Sequence, residues 1–389
     1  MRKKLLALGQ LLLLMMLLCG CTSATQASEA IIPASAPPAV ETPPAVLTLA
    51  AVGDNLLHNT VYQSAQTADG YDFLPLYQYV APLIAQADIA FVNQEAPMSG
   101  AAPSSYPSFN SPQEAGRDLV ALGFDVINLA NNHMMDKGGQ AVLNTLAYLS
   151  TLDCATIGAY SSSEERQTPV ILKRNGITAG FIGYTYGTNG IPLPKSQPDL
   201  VSLIDTDRMT QEITALRSQC DFVIVSMHWG NEYQLTPTAE QQQLAQLLAD
   251  LNVDIIIGTH PHVIQPAQWL EASDASHQTF VVYSLGNFIS SQSRTNTMLG
   301  GLFTARLQKT SDGECSVEAV GLLPLVTHFE AGAKNYRVYP LDQYTPELAH
   351  KHRLRAKNND LTVEYFTNLS QEIWGQFWQE ETAAAQMLQ

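Results

Sequence analysis

The chain reads as an α/β protein, on two observations. Apolar runs of strand length, rich in β-branched residues, alternate with segments of helical period. Hydrophobic residues fill 46% of the 389 positions, enough for a large core, which excludes a wholly disordered chain. Strands that alternate with helices pack into largely covered sheets, so their runs can be apolar throughout.

The first strand is VLTLAAV at 46–52. Helical patterns at 76–87 and 113–122 precede the next two, IAFVN at 89–93 and DVINL at 125–129. A helix at 140–149 comes before AGFIGY at 179–184, and one at 207–217 before FVIVSM at 222–227. The stretch TAEQQQLAQLLADL predicts a helix over 239–251, with Leu244, Leu247, Leu248 and Leu251 on one face. VDIII at 253–257 and FVVY at 280–283 are the last strands of the alternating series. The runs 303–307 and 316–323 follow one another without a helix, which makes part of the sheet antiparallel. The main domain is expected over 46–330 and a separate, partly helical segment over 331–389. In that segment Glu364, Tyr365 and Phe366 through Trp374, Phe377 and Trp378 predict an amphipathic helix that packs back on the domain.

The N-terminus carries a targeting segment. Arg2, Lys3 and Lys4 precede an apolar stretch over 5–18, shorter than the roughly 20 residues a membrane span needs. It ends in Leu18-Cys19-Gly20-Cys21, which resembles a lipobox. Residues 1–20 then form a lipoprotein signal peptide, and Cys21 becomes the lipidated mature N-terminus. Residues 21–45, mostly Ala, Pro, Ser and Thr, read as a disordered tether. The expected location is extracytoplasmic, anchored to the cell membrane.

Charge is sparse and lopsided: 20 basic against 36 acidic residues give −16. No nucleic-acid partner is expected, because a basic face is lacking. An acidic surface also repels a polyanionic polymer unless metal ions lie between them. Beyond Cys19 and Cys21 only Cys154, Cys220 and Cys315 remain. Their wide spacing has no zinc-ribbon pattern, and they read as buried small hydrophobes with at most one disulfide.

The residues after the strands are the informative ones. The first run ends in Gly53-Asp54 with His58 close by, the second in Asn93-Gln94-Glu95, and the third in Asn131-Asn132-His133 followed by Asp136. Two later runs end in His228-Trp229-Gly230 and Gly258-Thr259-His260-Pro261-His262. Open α/β sheets place their ligand crevice at strand carboxyl ends, so five strands deliver metal-capable side chains to one edge. Carboxylates, imidazoles and an amide oxygen suit divalent manganese, iron or zinc. No cysteine joins them, which disfavours a structural zinc site. Two ions need a bridging carboxylate, which Asp54 and Glu95 could include, and terminal ligands from several loops. His228, His260 and His262 are terminal ligands, and Asn132 ligates through its carbonyl. His133 is then free to protonate a leaving group, with Asp136 beside it. His58, Asn131 and Asn287 are secondary or substrate contacts. His277, His328, His350 and His352 lie elsewhere and read as solvated or capping. Tyr184, Trp229 and Tyr233 read as cleft walls or as packing.

Together with Ser284-Leu285-Gly286-Asn287-Phe288, this series resembles the bacterial capsule synthesis family of CapA type, associated with poly-gamma-glutamate. The resemblance covers about residues 46–325. That family is in turn similar to calcineurin-like metallophosphatases, which implies a four-layer α/β/β/α sandwich with mixed sheets. Three departures from the metallophosphatase pattern stand out. His58 lies four residues after Asp54 where an Asp-x-His is usual, Glu95 replaces a bridging Asp, and Asn131-Asn132-His133 replaces Gly-Asn-His. They leave metal binding in place and point away from ordinary phosphomonoester hydrolysis.

The reading is an exported lipoprotein of capsule or poly-gamma-glutamate biosynthesis. A metal-activated hydroxide attacks a phosphorus or acyl centre, with His133 as general acid. Its partners are an envelope polymer or the machinery that makes and exports it, and the membrane through the lipid anchor. The rival is a non-catalytic accessory lipoprotein that binds the polymer or its synthase.

Overall fold

The structure is a computed structural model describing residues 43–332 and 334–389. The signal segment, Cys21 and all but the end of the tether lie outside the described residues. Residues 43 onward belong to one compact unit.

The first third of the chain lays down a parallel array. Strand β1 (Ala45–Asn55) leads to α1 (Asn59–Ser64) and α2 (Ala81–Gln86), then β2 (Ile89–Gln94). Next come α3 (Glu114–Leu122), β3 (Val126–Asn128), α4 (Gly139–Leu149) and β4 (Ala155–Ile157). β1 to β4 pair in sequence order, all parallel. The helix expected over 76–87 is broken into a short 3-10 turn at Leu74–Tyr77 and α2. Pro75 and Pro82 each sit in a first turn, because a proline lacks the N–H that a helix interior requires.

The middle third builds a second sheet. After α5 (Ser163–Gln167) come β5 (Val170–Arg174), β6 (Ile177–Thr185), α6 (Thr206–Arg217) and β7 (Phe222–His228). Then follow α7 (Ala239–Asp250), β8 (Ile255–Thr259), β9 (Ala267–Glu271) and β10 (Gln278–Val282). The order is β5-β6-β7-β8-β10-β9, parallel in the centre with antiparallel edges β5 and β9. The chain then returns to the first sheet with β11 (Asn287–Ile289), β12 (Leu299–Lys309), β13 (Cys315–Glu330) and β14 (Lys334–Pro340). Its order is β14-β13-β12-β1-β2-β3-β4, with β11 parallel to β1 and β12 antiparallel to it.

Both sheets are therefore mixed, and they face one another. One core cluster holds Leu49 and Val52 of the first sheet with Phe181, Ile224, Ile257 and Phe280 of the second. Phe280 and Phe303 stack across the gap with ring centres 5.4 Å apart. On the other face of the second sheet Val223, Val225, Ile256 and Val281 pack under Met209 and Ile213 of α6 and Leu244 and Leu248 of α7. Successive strand residues thus point into different cores, which is why these runs carry no polar alternation. Leu83, Leu119, Val142 and Leu146 from α2, α3 and α4 cover the first sheet. The four layers are those the resemblance implies.

The last residues pack back onto this body through α8 (Pro346–Lys351), α9 (Val363–Trp374) and α10 (Glu381–Met387). Trp374 is buried and donates Nε1–H to the Gln265 carbonyl at 3.1 Å, while Phe377 packs edge-on to Phe280. Cys154 and Cys220 are half-buried, but Cys315 is exposed at the start of β13, and all three are free thiols. The expectation of a buried Cys315 thus fails, because its strand begins beyond the sheet's covered part.

Two histidines expected to be solvated or capping are core residues. His328 is buried with Nδ1 3.0 Å from the Tyr344 hydroxyl. His352 is buried as well, and it does cap: Nδ1 accepts the Leu354 N–H at 3.1 Å. Its Nε2 lies 3.2 Å from the Thr327 carbonyl, so the ring is neutral with its proton on Nε2. Burial lowers the pKa of His328 to about 4 and that of His352 to about 3, from 6.5. Below pH about 6.5 the unfolded chain therefore binds protons that the folded chain refuses, and stability falls as pH falls toward 4. Each proton contributes about 1.4 kcal/mol per pH unit in that window. Urea titrations of metal-free protein between pH 4.5 and 7 should show shallower pH dependence for His328→Gln and His352→Gln than for wild type. An unchanged slope in both would refute the assignment.

Candidate metal centre

Five strand ends build the site. Asp54 closes β1, Glu95 follows β2, Asn132 and His133 follow β3, His228 closes β7, and His260 and His262 follow β8. All are buried. The Gly53 Cα lies so close to β11 that an added Cβ would sit 1.9 Å from the Gly286 carbonyl oxygen, so only glycine lets the strands meet there. That contact carries the bond from the Asp54 N–H to the Gly286 oxygen, 2.9 Å, which places the Asp54 carboxylate.

Glu95 stands at the centre. Its carboxylate oxygens are buried and have no hydrogen-bond partner among the described residues. Oε1 lies 3.6 Å from His228 Nε2 and 3.7 Å from His262 Nε2. Glu95 belongs to two ligand-capable groups, one with His228 and His260, the other with Asp54 and His262; in each, one ligand atom per residue lies within 4.8 Å of the others. His262 Nδ1 is 3.2 Å from Asp54 Oδ2 and 3.0 Å from Asn287 Oδ1, so Nε2 is the nitrogen that faces Glu95. Asn132 Oδ1 meets His228 Nε2 at 2.9 Å, and Thr259 Oγ1 holds His228 Nδ1 at 3.0 Å. His260 Nδ1 has no partner, and its backbone N–H leans on Asp54 at 3.3 Å.

The electrostatics are those of a site built for a cation. Burial, then the Asp54 charge, hold the Glu95 carboxyl well above the usual range. Burial likewise drives His228 down and His260 to about 3, with neighbouring imidazoles adding repulsion. The imidazoles are thus neutral, the form that ligates. His260 and His262 adopt φ of 96° and 58° on either side of Pro261. Such left-handed backbone costs about 1–3 kcal/mol per residue and persists where the surroundings impose it.

His133 stands apart from both groups. Its Nδ1 is 2.8 Å from Asp136 Oδ2, and the Phe109 N–H fixes that same oxygen at 2.8 Å. Nε2 remains for a reacting group. His58 lines the same cavity of about 530 Å³ but enters neither group; its Nδ1 accepts the Ser291 N–H at 3.3 Å, and burial lowers its pKa to about 4. Asn131 donates to the Gln94 carbonyl at 2.8 Å and ties β3 to β2, with its own Oδ1 unpartnered. Asn287 orients His262 and donates Nδ2–H to the Thr297 carbonyl at 2.9 Å.

The bacterial capsule synthesis protein family PGA_cap matches residues 48–292. PGA biosynthesis protein CapA of Bacillus subtilis is 30% identical over 285 residues, 71% of this chain and 72% of that protein. Capsule biosynthesis protein CapA of Bacillus anthracis is 29% identical, over 64% of this chain and 61% of that one. The chain belongs to the bacterial capsule synthesis family. Among solved structures, the 5'-nucleotidase precursor from Thermus thermophilus superposes with a TM-score of 0.44 at 14% identity, over 84% of this chain and 59% of that chain.

In this capsule synthesis protein several site neighbours escape the strand-end pattern. Tyr184 points into the outer core, its hydroxyl on Glu212 at 2.8 Å, whereas half-exposed Tyr186 packs 4.6 Å from the His260 ring. Trp229 is core, bonded to the Tyr283 carbonyl at 2.9 Å, while Tyr233 lines the cavity. Asn189 Nδ2 is 3.2 Å from His133 Nδ1 and its Oδ1 accepts from Asn132 at 3.0 Å. Asn93 donates to Asp54 at 2.8 Å and stands in the sequence only as the first residue of a motif. Residues 186–204 have no apolar period, so nothing in their pattern signals Tyr186 or Asn189.

Glu95→Gln removes a buried, unpartnered carboxylate while keeping its shape. In metal-free protein the change should raise stability by about 1 kcal/mol or more, since desolvating that group is costly. The same variant should bind less metal. Thermal unfolding in chelator and metal analysis after dialysis test both halves, and destabilisation in chelator would mean that Glu95 has an undetected structural partner.

Proposed function

We propose that this chain is an exported, lipid-anchored hydrolase of envelope polymer synthesis that works with two divalent ions. The observation that carries the reading is Glu95, whose two orphaned oxygens are shared by two groups of imidazole and carboxylate. A buried acid without hydrogen bonds fits a cation better than it fits any protein neighbour here. Asp54, Glu95 and His262 would hold one ion, and Glu95, His228 and His260 the other, with Asn132 supplying an amide oxygen beside His228. Mixed nitrogen and oxygen donors suit manganese, iron or zinc.

Such ions supply Lewis acidity and make water a nucleophile at neutral pH. The chain's own residues do the rest. Asp136 fixes the His133 ring through Nδ1, and Nε2 is the atom from which a proton would pass to the leaving oxygen or nitrogen. Asn132 donates to Asn189 Oδ1 beside the His133 ring. Tyr186 covers His260 and keeps bulk water from one side. The bond broken is a phosphoester or acyl bond. The names of the Bacillus relatives support poly-gamma-glutamate or a related capsule polymer as the setting, and the polymer or its synthesis machinery as the partner. The Leu18-Cys19-Gly20-Cys21 sequence supports lipidation at Cys21 and an extracytoplasmic location.

Metal stoichiometry and turnover together test the site. His228→Ala and His260→Ala should each lose metal and with it activity. His133→Asn should keep near-normal metal and lose about 10²–10⁴-fold in rate, least with substrates whose leaving groups need no proton. Metal loss from His133→Asn equal to that from His228→Ala would make His133 a ligand. Wild-type protein that binds no metal would return the chain to an accessory, polymer-binding role.

The anchor has its own test. Fatty-acid labelling of cells should mark wild type and not Cys21→Ala. Equal label on both would remove the lipidation reading.

A further inference from the structure

A second cavity adjoins the metal centre. It has a volume of about 140 Å³, and Arg353 and Lys357 flank it. Gln292 lines both this cavity and the larger one. The partition is thin: Ser291, on the wall of the small cavity, donates its N–H to His58, on the wall of the large one, at 3.3 Å. A third cation stands against a residue of the large cavity's wall. Arg294 lies over the Tyr233 ring, 4.0 Å from its centre, and Tyr233 lines the large cavity. Gln292 Nε2 reaches the Tyr233 hydroxyl at 3.4 Å and its Oε1 accepts from Asn287, which orients His262. Tyr233 itself is held at φ 67° by a bond to the Pro261 carbonyl of the His-Pro-His loop, 2.7 Å. Strain retained at the rim of a cavity marks a position set for contact.

Arg294, Arg353 and Lys357 are exposed, and none has a carboxylate within ion-pair distance among the described residues. Arg117, Arg166, Arg174, Arg208, Arg217, Arg306 and Lys309 are each paired with an acid, while Lys137, Lys173, Lys195, Lys334, Arg337, Lys351 and Arg355 likewise have no ion pair among the described residues. In a chain with net charge −16, Arg294, Arg353 and Lys357 are set apart by their place beside the site, where Glu232 on the wall of the large cavity is opposite to them in sign. We infer that they form a groove for a linear polyanion, which runs from the metal centre past Gln292 to Arg353 and Lys357. This rests on the proposed function for the identity of the polymer, a chain of spaced carboxylates. The cations then hold the part of the chain beyond the bond that reacts.

The test is binding of fluorescent gamma-linked glutamate oligomers of graded length, at two salt concentrations, in chelator and with manganese. Wild type should bind longer oligomers more tightly, and more weakly in high salt. Arg353→Gln/Lys357→Gln should lose the gain with length, on the order of tenfold for the longest oligomer. Arg294→Gln should weaken short and long oligomers alike. All three positions are exposed, so metal content and the thermal transition should stay at wild-type values and report an intact fold. Equal length dependence in wild type and the double variant overturns the groove. Wild type that binds metal but no oligomer also overturns it, while the metal reading stands. Oligomer binding by a protein that holds no metal keeps the groove and removes the metal reading alone. Tighter binding of polyphosphate of matched charge overturns the carboxylate assignment.

Discussion

The buried carboxylate of Glu95 is the constraint around which the rest is arranged. Burying an ion without partners costs several kcal/mol even after relaxation. Among the described residues no N–H or O–H compensates it, and the Asp54 charge makes matters worse. The groups around it are by comparison tied down. Asn93 holds Asp54, Asn128 holds Asn93 at 2.8 Å, Thr259 holds His228, and Asn287 holds His262. A fold that satisfies the outer groups and starves the central one has placed its deficit where a cation would remove it. The field of such a cation inverts the local pKa logic, turning a reluctant acid into a ligand.

The architecture explains how this deficit is maintained. Candidate ligands come from both sheets: Asp54 and Glu95 from the first, His228, His260 and His262 from the second. The site can form only when the sheets are packed face to face, as Phe280 on Phe303 shows they are. Sheet packing and ligand geometry are thus one equilibrium, and bound metal would contribute directly to holding the layers together. The left-handed His260 and His262 fit the same account, since their strain is borne by β8 and β10, whose close approach leaves room for no side chain at Gly258.

How much of this was legible in the sequence follows from the physics of each element. The central strands announced themselves because both their faces are buried, and the abrupt change to Asp, Glu, Asn and His at their ends exposed the site. Edge strands β5 and β9 went unseen, because half-exposed, polar segments such as VILKR and AQWLE look like loops. The split of the helix over 76–87 was signalled by Pro75 and Pro82 and overlooked. His328 could not be placed by its neighbours in sequence. Tyr344 and His352 bury it, and they arrive from a later segment that packs back over β13. Tyr186 and Asn189 were invisible for the same reason: a loop with no period acquires its meaning only from what it is folded against.

The three groove cations raise a further point about how such a protein divides its tasks. The family match ends at residue 292, and every ligand candidate lies inside it. Arg294, Arg353 and Lys357 all lie beyond it, in segments joined by the bond from Asn358 to Thr295. The site demands fixed distances among buried groups, so its residues can change little without loss of the ion. An exposed cation on a polymer groove has no such partner to lose, and its contribution is modest, additive and screened by salt. Chemistry in the buried strand ends and chain recognition in the later, exposed segments, as proposed, would let affinity for a polymer be adjusted without disturbing the metal centre. The link between them runs through Gln292 and Asn287 to His262, so a chain seated on the rim would bear on one candidate ligand through two hydrogen bonds.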